Sequence, residues 1–155
     1  MLPAASAFVP HDVLARPKRS AGAVIVRRAK GCWEVALVHH AADPQHDWRF
    51  PKGRIRGRES SAAAAAREVA EETGYRVLSH RLLGTLVGQT RRGRSKLTAY
   101  WQVRLLGGRF RPSREVDAVR WLPFAEAAVT IARRDEAEVL AVARGLLEKE
   151  LEAAG

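Results

Sequence analysis

Residues 53–75 read GRIRGRESSAAAAAREVAEETGY, and this stretch decides how the rest of the chain is interpreted. Ser60 or Ser61 can cap the N-terminus of a helix, and the alanines that follow are strong helix formers. Gly74 can end the same helix, because glycine readily adopts the left-handed conformation found after helix C-termini. The stretch therefore predicts a helix over residues 60–72 that is entered from a glycine-rich loop.

Three glutamates of this predicted helix share one face. Glu68, Glu71 and Glu72 stand at positions i, i+3 and i+4, which are neighbours on a helix surface. Three carboxylates repel one another in water, but Mg²⁺ prefers oxygen ligands and is commonly held by a few carboxylates together with substrate phosphate. Arg67 can pair with Glu71 at i+4. The pattern favours a metal site on this helix over a merely solvated acidic face.

Outside the helix, most of the chain shows the apolar patterns of β-strands. The order of elements is strands, one loop-led helix, more strands and a C-terminal amphipathic helix, which differs from regular βαβα alternation. We therefore expect an α/β fold in which helices cover both sides of a mixed β-sheet. The predicted strands cover residues 21–26, 33–40, 77–87, 97–106 and 119–122, the predicted loop covers 41–57, and the last helix covers 133–151.

The length and composition fit one globular domain. The chain has 155 residues, 46% of them hydrophobic, and no run of about 18 apolar residues that would cross a membrane. Residues 1–17 contain three prolines and little periodicity, so we expect a flexible N-terminal arm there and a single domain over 18–155.

The net charge of +10 is unevenly distributed along the chain. Residues 1–58 hold 11 basic and 4 acidic residues, and residues 76–125 hold 11 and 2. The segment between them, residues 59–75, holds 1 basic and 4 acidic residues, and residues 126–155 hold 4 and 7. An acidic segment flanked by basic ones is the arrangement expected when a metal and basic side chains share the charge of a polyphosphate.

Several side chains are candidates to bind such a substrate. Tyr100 or Trp101 could stack on a purine, although the two alternate along one predicted strand and one of them is expected in the core. The candidate phosphate ligands are Lys52 and the cations of a basic turn, namely Arg91, Arg92, Arg94 and Lys96.

The decisive stretch also matches a family motif at every fixed position. Gly53, Glu59, Arg67, Glu68, Glu71, Glu72 and Gly74 satisfy the pattern G-x5-E-x7-R-E-U-x-E-E-x-G-U, with Val69 and Tyr75 in its apolar slots. This resembles the Nudix box. Residues 48–53, WRFPKG, and residues 121–123, WLP, also resemble features of Nudix hydrolases. The resemblance implies an α/β/α sandwich and an enzyme that uses Mg²⁺ or Mn²⁺ to cleave nucleoside diphosphates linked to another group, by water attack at phosphorus.

The resemblance also implies roles for individual residues. The backbone carbonyl of Gly53 and the carboxylates of Glu68, Glu71 and Glu72 match the metal ligands of the family, and Glu59 and Arg67 match the residues that orient them. The general base is left open between Glu68 and Glu115, which lies on a loop just before the predicted strand 119–122. Glu115 could instead be an extra metal ligand. For Glu115 an ion pair with an arginine such as Arg67 is an equal alternative.

The substrate is less well defined than the reaction. The sequence WRFPKG, which leads into the motif, resembles that of Nudix branches acting on dinucleoside polyphosphates, oxidised nucleoside triphosphates or diphosphoinositol polyphosphates. It also resembles the N-terminal Nudix part of two-domain actinobacterial MutT-like enzymes. Thr90 stands near the position where ADP-ribose hydrolases usually carry proline, which disfavours that branch. Cleavage of RNA 5′ ends and a basic nucleic-acid-binding or nucleotide-binding module are the alternatives.

The remaining expectations concern cysteine, location and assembly. Cys32 is the single cysteine, so it cannot form an internal disulfide, and its place beside Trp33 in an apolar run predicts a buried thiol. The first ten residues lack the basic start and long apolar run of a signal peptide, so we expect a cytoplasmic protein. A monomer and a homodimer are both compatible with the sequence.

Overall fold

The computed structural model describes residues 16–155, and the predicted arm lies outside these residues except at its last two positions. Seven strands and three helices occupy the described part of the chain. The strands are β1 (Lys18–Ala29), β2 (Cys32–His40), β3 (Trp48–Arg49), β4 (Lys52–Arg54), β5 (Tyr75–Gln89), β6 (Ser95–Gly108) and β7 (Val116–Pro123). The helices are α1 (Ser61–Thr73), α2 (Phe124–Thr130) and α3 (Arg134–Ala154).

Helix α1 forms where the sequence predicts it. The hydroxyl of Ser60 accepts a hydrogen bond from the amide of Ala63 at 3.1 Å, so Ser60 is the N-cap. Gly74 ends the helix with φ = 80°, and its amide donates to the carbonyl of Ala70. The caps fix the length of the helix and therefore the orientation of its three glutamates.

The strands form one mixed sheet. Its main order is β3-β2-β1-β6-β5, with β4 pairing with β1 and β7 pairing with β2. Strands β1 and β6 run parallel, whereas the other pairs are antiparallel. The long strands β5 and β6 form a hairpin around the turn at residues 90–94. The expected mixed sheet is confirmed.

Helices cover both faces of this sheet. Along β1, Ala21, Ala23 and Ile25 pack with the α1 residues Ala64 and Val69. On the other face, Val24 and Val26 of β1 and Val35 of β2 belong to a second core. Tyr100, Phe50 and the apolar side of α2 and α3 complete it. The α/β/α sandwich implied by the sequence is therefore present.

Three expectations are corrected by the structure. The loop predicted over residues 41–57 contains β3 and β4, because short polar segments there pair with β2 and β1. Helix α2 was not predicted, since its seven residues are too few to show a helical period. Cys32 is exposed instead of buried, because it lies directly after the hairpin turn at Lys30 and Gly31.

In the part of the chain that the structure describes, no helix is both long and apolar enough to cross a bilayer.

Candidate functional site

The site is built where β4 leads into helix α1. Strand β4 runs antiparallel to β1, and Gly53 pairs with Ala21. A Cβ added at Gly53 would overlap the carboxyl group of Glu68. The absence of a side chain therefore lets the Glu68 carboxylate lie directly against the backbone of residue 53.

Arg67 organises the carboxylates around it. Its guanidinium donates two hydrogen bonds to Glu59, at 2.7 and 2.9 Å, and one each to Glu68 at 2.8 Å and Glu71 at 3.1 Å. A fifth hydrogen bond reaches the carbonyl of Arg54 at 2.7 Å. One rigid guanidinium thus ties the loop after β4 to the acidic face of α1, as the resemblance implies for this position.

Glu59 is fixed from both of its oxygens. Hydrogen bonds from Arg67, together with the amide of Arg56, lower the pKa of Glu59 to about 2 although burial acts in the opposite direction. The same contacts raise the pKa of Arg67 above its usual range. Arg56 also reaches Glu71 at 3.2 Å. Glu59 is therefore an anion that orients Arg67 and stays ionised at any physiological pH.

Four carboxylates face one cavity of about 270 Å³, which is also lined by Ser113 and Arg114. They belong to Glu68, Glu71, Glu72 and Glu115. Glu72 is only 2% exposed, and neither of its carboxylate oxygens has a hydrogen-bond partner within residues 16–155. Burial, followed by the charges of Glu68 and Glu115, raises the pKa of Glu72 to about 8, although the backbone amide of Lys52, which approaches the carboxylate without hydrogen-bond geometry, acts in the opposite direction.

An ionised carboxylate that is buried without a hydrogen-bond partner, beside three other carboxylates, destabilises the fold unless a proton or a cation offsets its charge. The donor set consists entirely of oxygen atoms, which suits Mg²⁺ or Mn²⁺. The chemistry of the donor set fits the predicted metal, but within residues 16–155 no three of these side chains already stand close enough to hold one ion, so the metal site stays a prediction.

Glu115 reaches this cavity from the loop that precedes β7. The carbonyl of Glu115 accepts a hydrogen bond from the amide of Ala41 at 2.9 Å, which anchors the loop against the end of β2. Its side chain is exposed and forms no ion pair with any other described residue, and Arg67 pairs with Glu59, Glu68 and Glu71 instead. The alternative of an ion pair between Glu115 and Arg67 is wrong for this structure.

A second cavity, of about 130 Å³, lies on the opposite face of the sheet from α1. Lys52 and Lys96 line it together with Thr98, Arg133 and Asp135. Burial lowers the pKa of Lys52, and the nearby charge of Glu136 partly opposes that effect. Lys52 directly precedes Gly53 in β4, so one lining residue of this cavity is the chain neighbour of the glycine that contacts Glu68.

The prediction that Tyr100 stacks on a purine is not supported. Of the two neighbouring aromatic residues, Tyr100 and Trp101, it is Tyr100 that lies in the core. Its ring is 1% exposed, packs against Phe50 and fills the space left by the missing side chain of Gly22. The Tyr100 hydroxyl donates to Glu136 at 2.7 Å. Trp101 faces α1 and donates to the hydroxyl of Ser61 at 2.9 Å.

Glu136 was missed by sequence reasoning. It is completely buried on α3, and one of its oxygens lacks a hydrogen-bond partner among the described residues. Burial raises the pKa of Glu136, while the hydrogen bond from Tyr100 and the charge of Lys52 oppose the shift. In the sequence it is one of many acidic residues on an amphipathic helix, so no signal distinguishes it.

The cations of the basic turn are separated by the structure. Lys96 lines the cavity of Lys52, whereas Arg91 and Arg92 are exposed at the tip of the β5–β6 hairpin. Arg94 donates two hydrogen bonds to the carbonyl of Arg16, at 2.6 and 3.1 Å. Only Lys96 of these four therefore lies with Lys52 in the cavity.

Comparison with known proteins supplies a family and several relatives. A family model described as NUDIX domain matches residues 16–143. An 8-oxo-(d)GTP phosphatase of Mycolicibacterium smegmatis is 36% identical over 132 residues, which cover 79% of this chain and 40% of that protein. A putative mutator protein MutT4 of Mycobacterium tuberculosis is 36% identical over 107 residues, covering 66% and 43% of the two chains. The chain thus spans less than half the length of these two relatives.

Solved structures show the same architecture. A C. elegans Ap4A hydrolase, in a binary complex, superposes with a TM-score of 0.75 at 25% identity, over 85% of this chain and 98% of that one. The similarity therefore extends over nearly the whole described fold.

Proposed function

Because the chain belongs to the NUDIX domain family, we propose that it is a Mg²⁺-dependent pyrophosphohydrolase that cleaves a phosphoanhydride bond of a nucleotide polyphosphate. The observation that carries this proposal is the buried carboxylate of Glu72, which has no partner among the described residues and faces Glu68, Glu71 and Glu115 in one cavity. Protonation relieves the charge of such a cluster, and a bound divalent cation relieves it while leaving the carboxylates ionised to act as ligands.

The carboxylates of Glu68, Glu71 and Glu72, with the carbonyl of Gly53, would hold the metal, and Mn²⁺ suits the same oxygen ligands. When bound, the ion offsets phosphate charge and makes the attacking water more acidic. Arg67 and Glu59 keep the ligands in place before substrate arrives, which lowers the cost of assembling the site.

We assign the general base to Glu115. Glu68 is engaged by Arg67 at 2.8 Å, and its carboxylate lies against the backbone of Gly53. Glu115 is exposed at the same cavity and has no ion pair within residues 16–155, so it can accept a proton from water. Water then forms a bond to phosphorus, and the bond from phosphorus to the bridging oxygen breaks. The leaving phosphate carries that oxygen away.

The substrate class follows from the second cavity. Lys52, the chain neighbour of Gly53, and Lys96 line this cavity and offer cations to the phosphates of a polyphosphate chain. The similar proteins are named for 8-oxo-(d)GTP and for Ap4A. We therefore propose a dinucleoside polyphosphate or an oxidised nucleoside triphosphate as the substrate.

A substrate panel tests this proposal. Purified protein is incubated with Mg²⁺ and dinucleoside polyphosphates, ordinary and oxidised nucleoside triphosphates, diphosphoinositol polyphosphates or triphosphorylated RNA, and products are identified. We expect turnover of the dinucleoside polyphosphates and of the nucleoside triphosphates, the oxidised ones included. Addition of EDTA should stop this turnover. Phosphate release that persists in the Glu71→Gln, Glu72→Gln double variant would contradict the proposed metal site.

Two single variants separate the base from the ligands. Loss of a general base lowers kcat by roughly 10²–10⁴-fold, and excess Mg²⁺ does not restore it. We expect this behaviour from Glu115→Gln. Glu68→Gln should instead raise the Mg²⁺ concentration needed for half-maximal rate. The reverse pattern would assign the base to Glu68.

A further inference from the structure

The loop between β6 and β7, which carries Glu115, is tied to helix α1 by the hydroxyl of Ser113. We propose that Ser113 is a positioning residue for the hydrolytic reaction, because it holds Glu115 in place at the carboxylate cavity. This inference rests on the proposed function, in which Glu115 is the general base. Ser113 itself lines the cavity, although it lies far outside the motif of residues 53–75.

The tie begins with the backbone carbonyls at the end of α1. The last four carbonyls of an α-helix have no partner within the helix, so other groups must donate to them. The loop reaches two of these carbonyls. The amide of Arg111 donates to the carbonyl of Thr73 at 2.8 Å, and the hydroxyl of Ser113 donates to the carbonyl of Glu72 at 3.0 Å. The loop thus completes the helix end that presents the glutamates.

The side chain of Ser113 is the donor because the neighbouring backbone cannot be. Pro112 has no amide hydrogen, and the amide of Ser113 already donates to the carbonyl of Val116 at 2.8 Å. Neither residue therefore has a free backbone donor for the carbonyl of Glu72. Replacement of Ser113 by alanine would remove the donor that this carbonyl now has in the loop.

Ser113 also closes the turn that presents Glu115. Its hydroxyl accepts a hydrogen bond from the amide of Val116 at 3.0 Å, and only Arg114 and Glu115 lie between the two residues. The carbonyl of Glu115 accepts from the amide of Ala41 at 2.9 Å, which holds the turn against β2. One hydroxyl group therefore joins this turn to the helix of the proposed metal ligands.

The position of the Glu115 carboxylate depends on this backbone. The side chain of Glu115 is exposed, and none of the ion pairs found within residues 16–155 involves it. A general base must lie within hydrogen-bond reach of the water that it deprotonates. A displacement of about 1 Å in a catalytic site can reduce the rate about 10²-fold. Loss of the Ser113 hydroxyl should therefore lower kcat more than it changes substrate or metal binding.

Three single variants test the proposal with a nucleotide polyphosphate that the wild type hydrolyses. We expect Ser113→Ala to lower kcat about tenfold or more, while KM and the Mg²⁺ concentration for half-maximal rate stay nearly unchanged. Ser113→Thr keeps the hydroxyl and should restore most of the rate. Ser79→Ala is the matched control, since the Ser79 hydroxyl donates to the carbonyl of Ala62 at 2.7 Å, near the other end of α1. It should keep the wild-type kcat.

A double variant shows whether Ser113 acts through Glu115. Ser113→Ala should reduce kcat much less in the Glu115→Gln background than in the wild type, because the base that it positions is already absent. An equal reduction in both backgrounds would overturn the proposal, since the hydroxyl would then act through another group.

Amide hydrogen exchange in EDTA examines the tie without turnover. Residues 111–116 should exchange faster in Ser113→Ala than in the wild type, and at the wild-type rate in Ser79→Ala. Unchanged exchange in Ser113→Ala would show that the hydroxyl does not hold the loop, which also overturns the proposal.

The outcomes distinguish this inference from the proposed function. If Ser113→Ala keeps the wild-type kcat while Glu115→Gln loses it, the positioning role is overturned and the general base stands. If Glu115→Gln keeps the wild-type kcat, the assignment of the base fails and the positioning role fails with it. If the wild type hydrolyses no nucleotide, the proposed function itself is refuted, and faster exchange in Ser113→Ala would then establish only the structural tie.

Discussion

The backbone of Gly53 and the carboxylate of Glu68 are in contact, with no room for a side chain between them. Strand β4 brings the glycine to this point through its pairing with β1, and helix α1 brings the glutamate. The backbone ligand and one of the side-chain ligands that we propose for the metal are thereby held together.

Gly53→Ala should displace the Glu68 carboxylate, because the new methyl group occupies its position. A displacement of about 1 Å in a catalytic site can reduce the rate about 10²-fold, so we expect kcat/KM to fall by at least that factor. Steady-state kinetics and circular dichroism measure activity and fold. Gly145→Ala is the matched control, since nothing lies within 4 Å of a Cβ there. Equal activity in the two variants would contradict the contact.

Arg67→Lys should dismantle the carboxylate arrangement although it keeps the charge. An ammonium group cannot reproduce the five hydrogen bonds to Glu59, Glu68, Glu71 and the Arg54 carbonyl. We expect a loss of about 2 kcal/mol in the free energy of unfolding, measured in urea, and weaker binding of Mn²⁺, measured by electron paramagnetic resonance. Arg144→Lys, at an exposed pair with Glu148, should change neither quantity.

Glu72 should make a pH-dependent contribution to the free energy of unfolding of the metal-free protein. This contribution should fall as the pH rises from about 5 to 8. The pKa of Glu72 is raised to about 8 in the folded state, so folding favours its protonated form. The contribution is complete below the pKa that Glu72 has in the unfolded chain, and it is lost as the pH rises through the pKa that Glu72 has in the folded protein. We expect the difference in unfolding free energy between wild type and Glu72→Gln to change by on the order of 3 kcal/mol over this range.

Urea titrations in EDTA at pH 5.5 and 8.5 measure that difference, and the comparison with the variant cancels every contribution that the two proteins share. Added Mg²⁺ should restore the wild type at high pH and have much less effect on Glu72→Gln. A pH-independent difference between the two proteins would show that Glu72 does not carry an abnormal proton affinity.

Tyr100→Phe should destabilise the fold through Glu136. The hydroxyl of Tyr100 donates the hydrogen bond to a completely buried carboxylate, and its removal leaves that group without a donor among the described side chains. A cost of about 2 kcal/mol is expected in urea unfolding at pH 7. Tyr75→Phe, whose hydroxyl accepts from the half-buried Trp121, should cost less. A smaller cost for Tyr100→Phe would mean that Glu136 is protonated and satisfied elsewhere.

The sequence by itself determined the local elements that depend on neighbouring residues. The caps at Ser60 and Gly74 and the alanines between them specify α1, and the spacing of Glu68, Glu71 and Glu72 specifies its acidic face. The alternation of apolar residues located the long strands because burial follows the two-residue period of a sheet. These properties depend on residues that are close in the chain, so the amino-acid sequence alone was enough to predict them.

Only the tertiary structure decided which distant groups meet. Glu115 joins the carboxylates of α1 because its loop is anchored to the end of β2, and Glu136 meets Tyr100 because α3 packs across the sheet. The same holds for Ser113, whose hydroxyl meets the carbonyl of Glu72 only when the loop between β6 and β7 packs on the end of α1. Strand register and helix packing depend on the whole core, and no local pattern of residues carries that information.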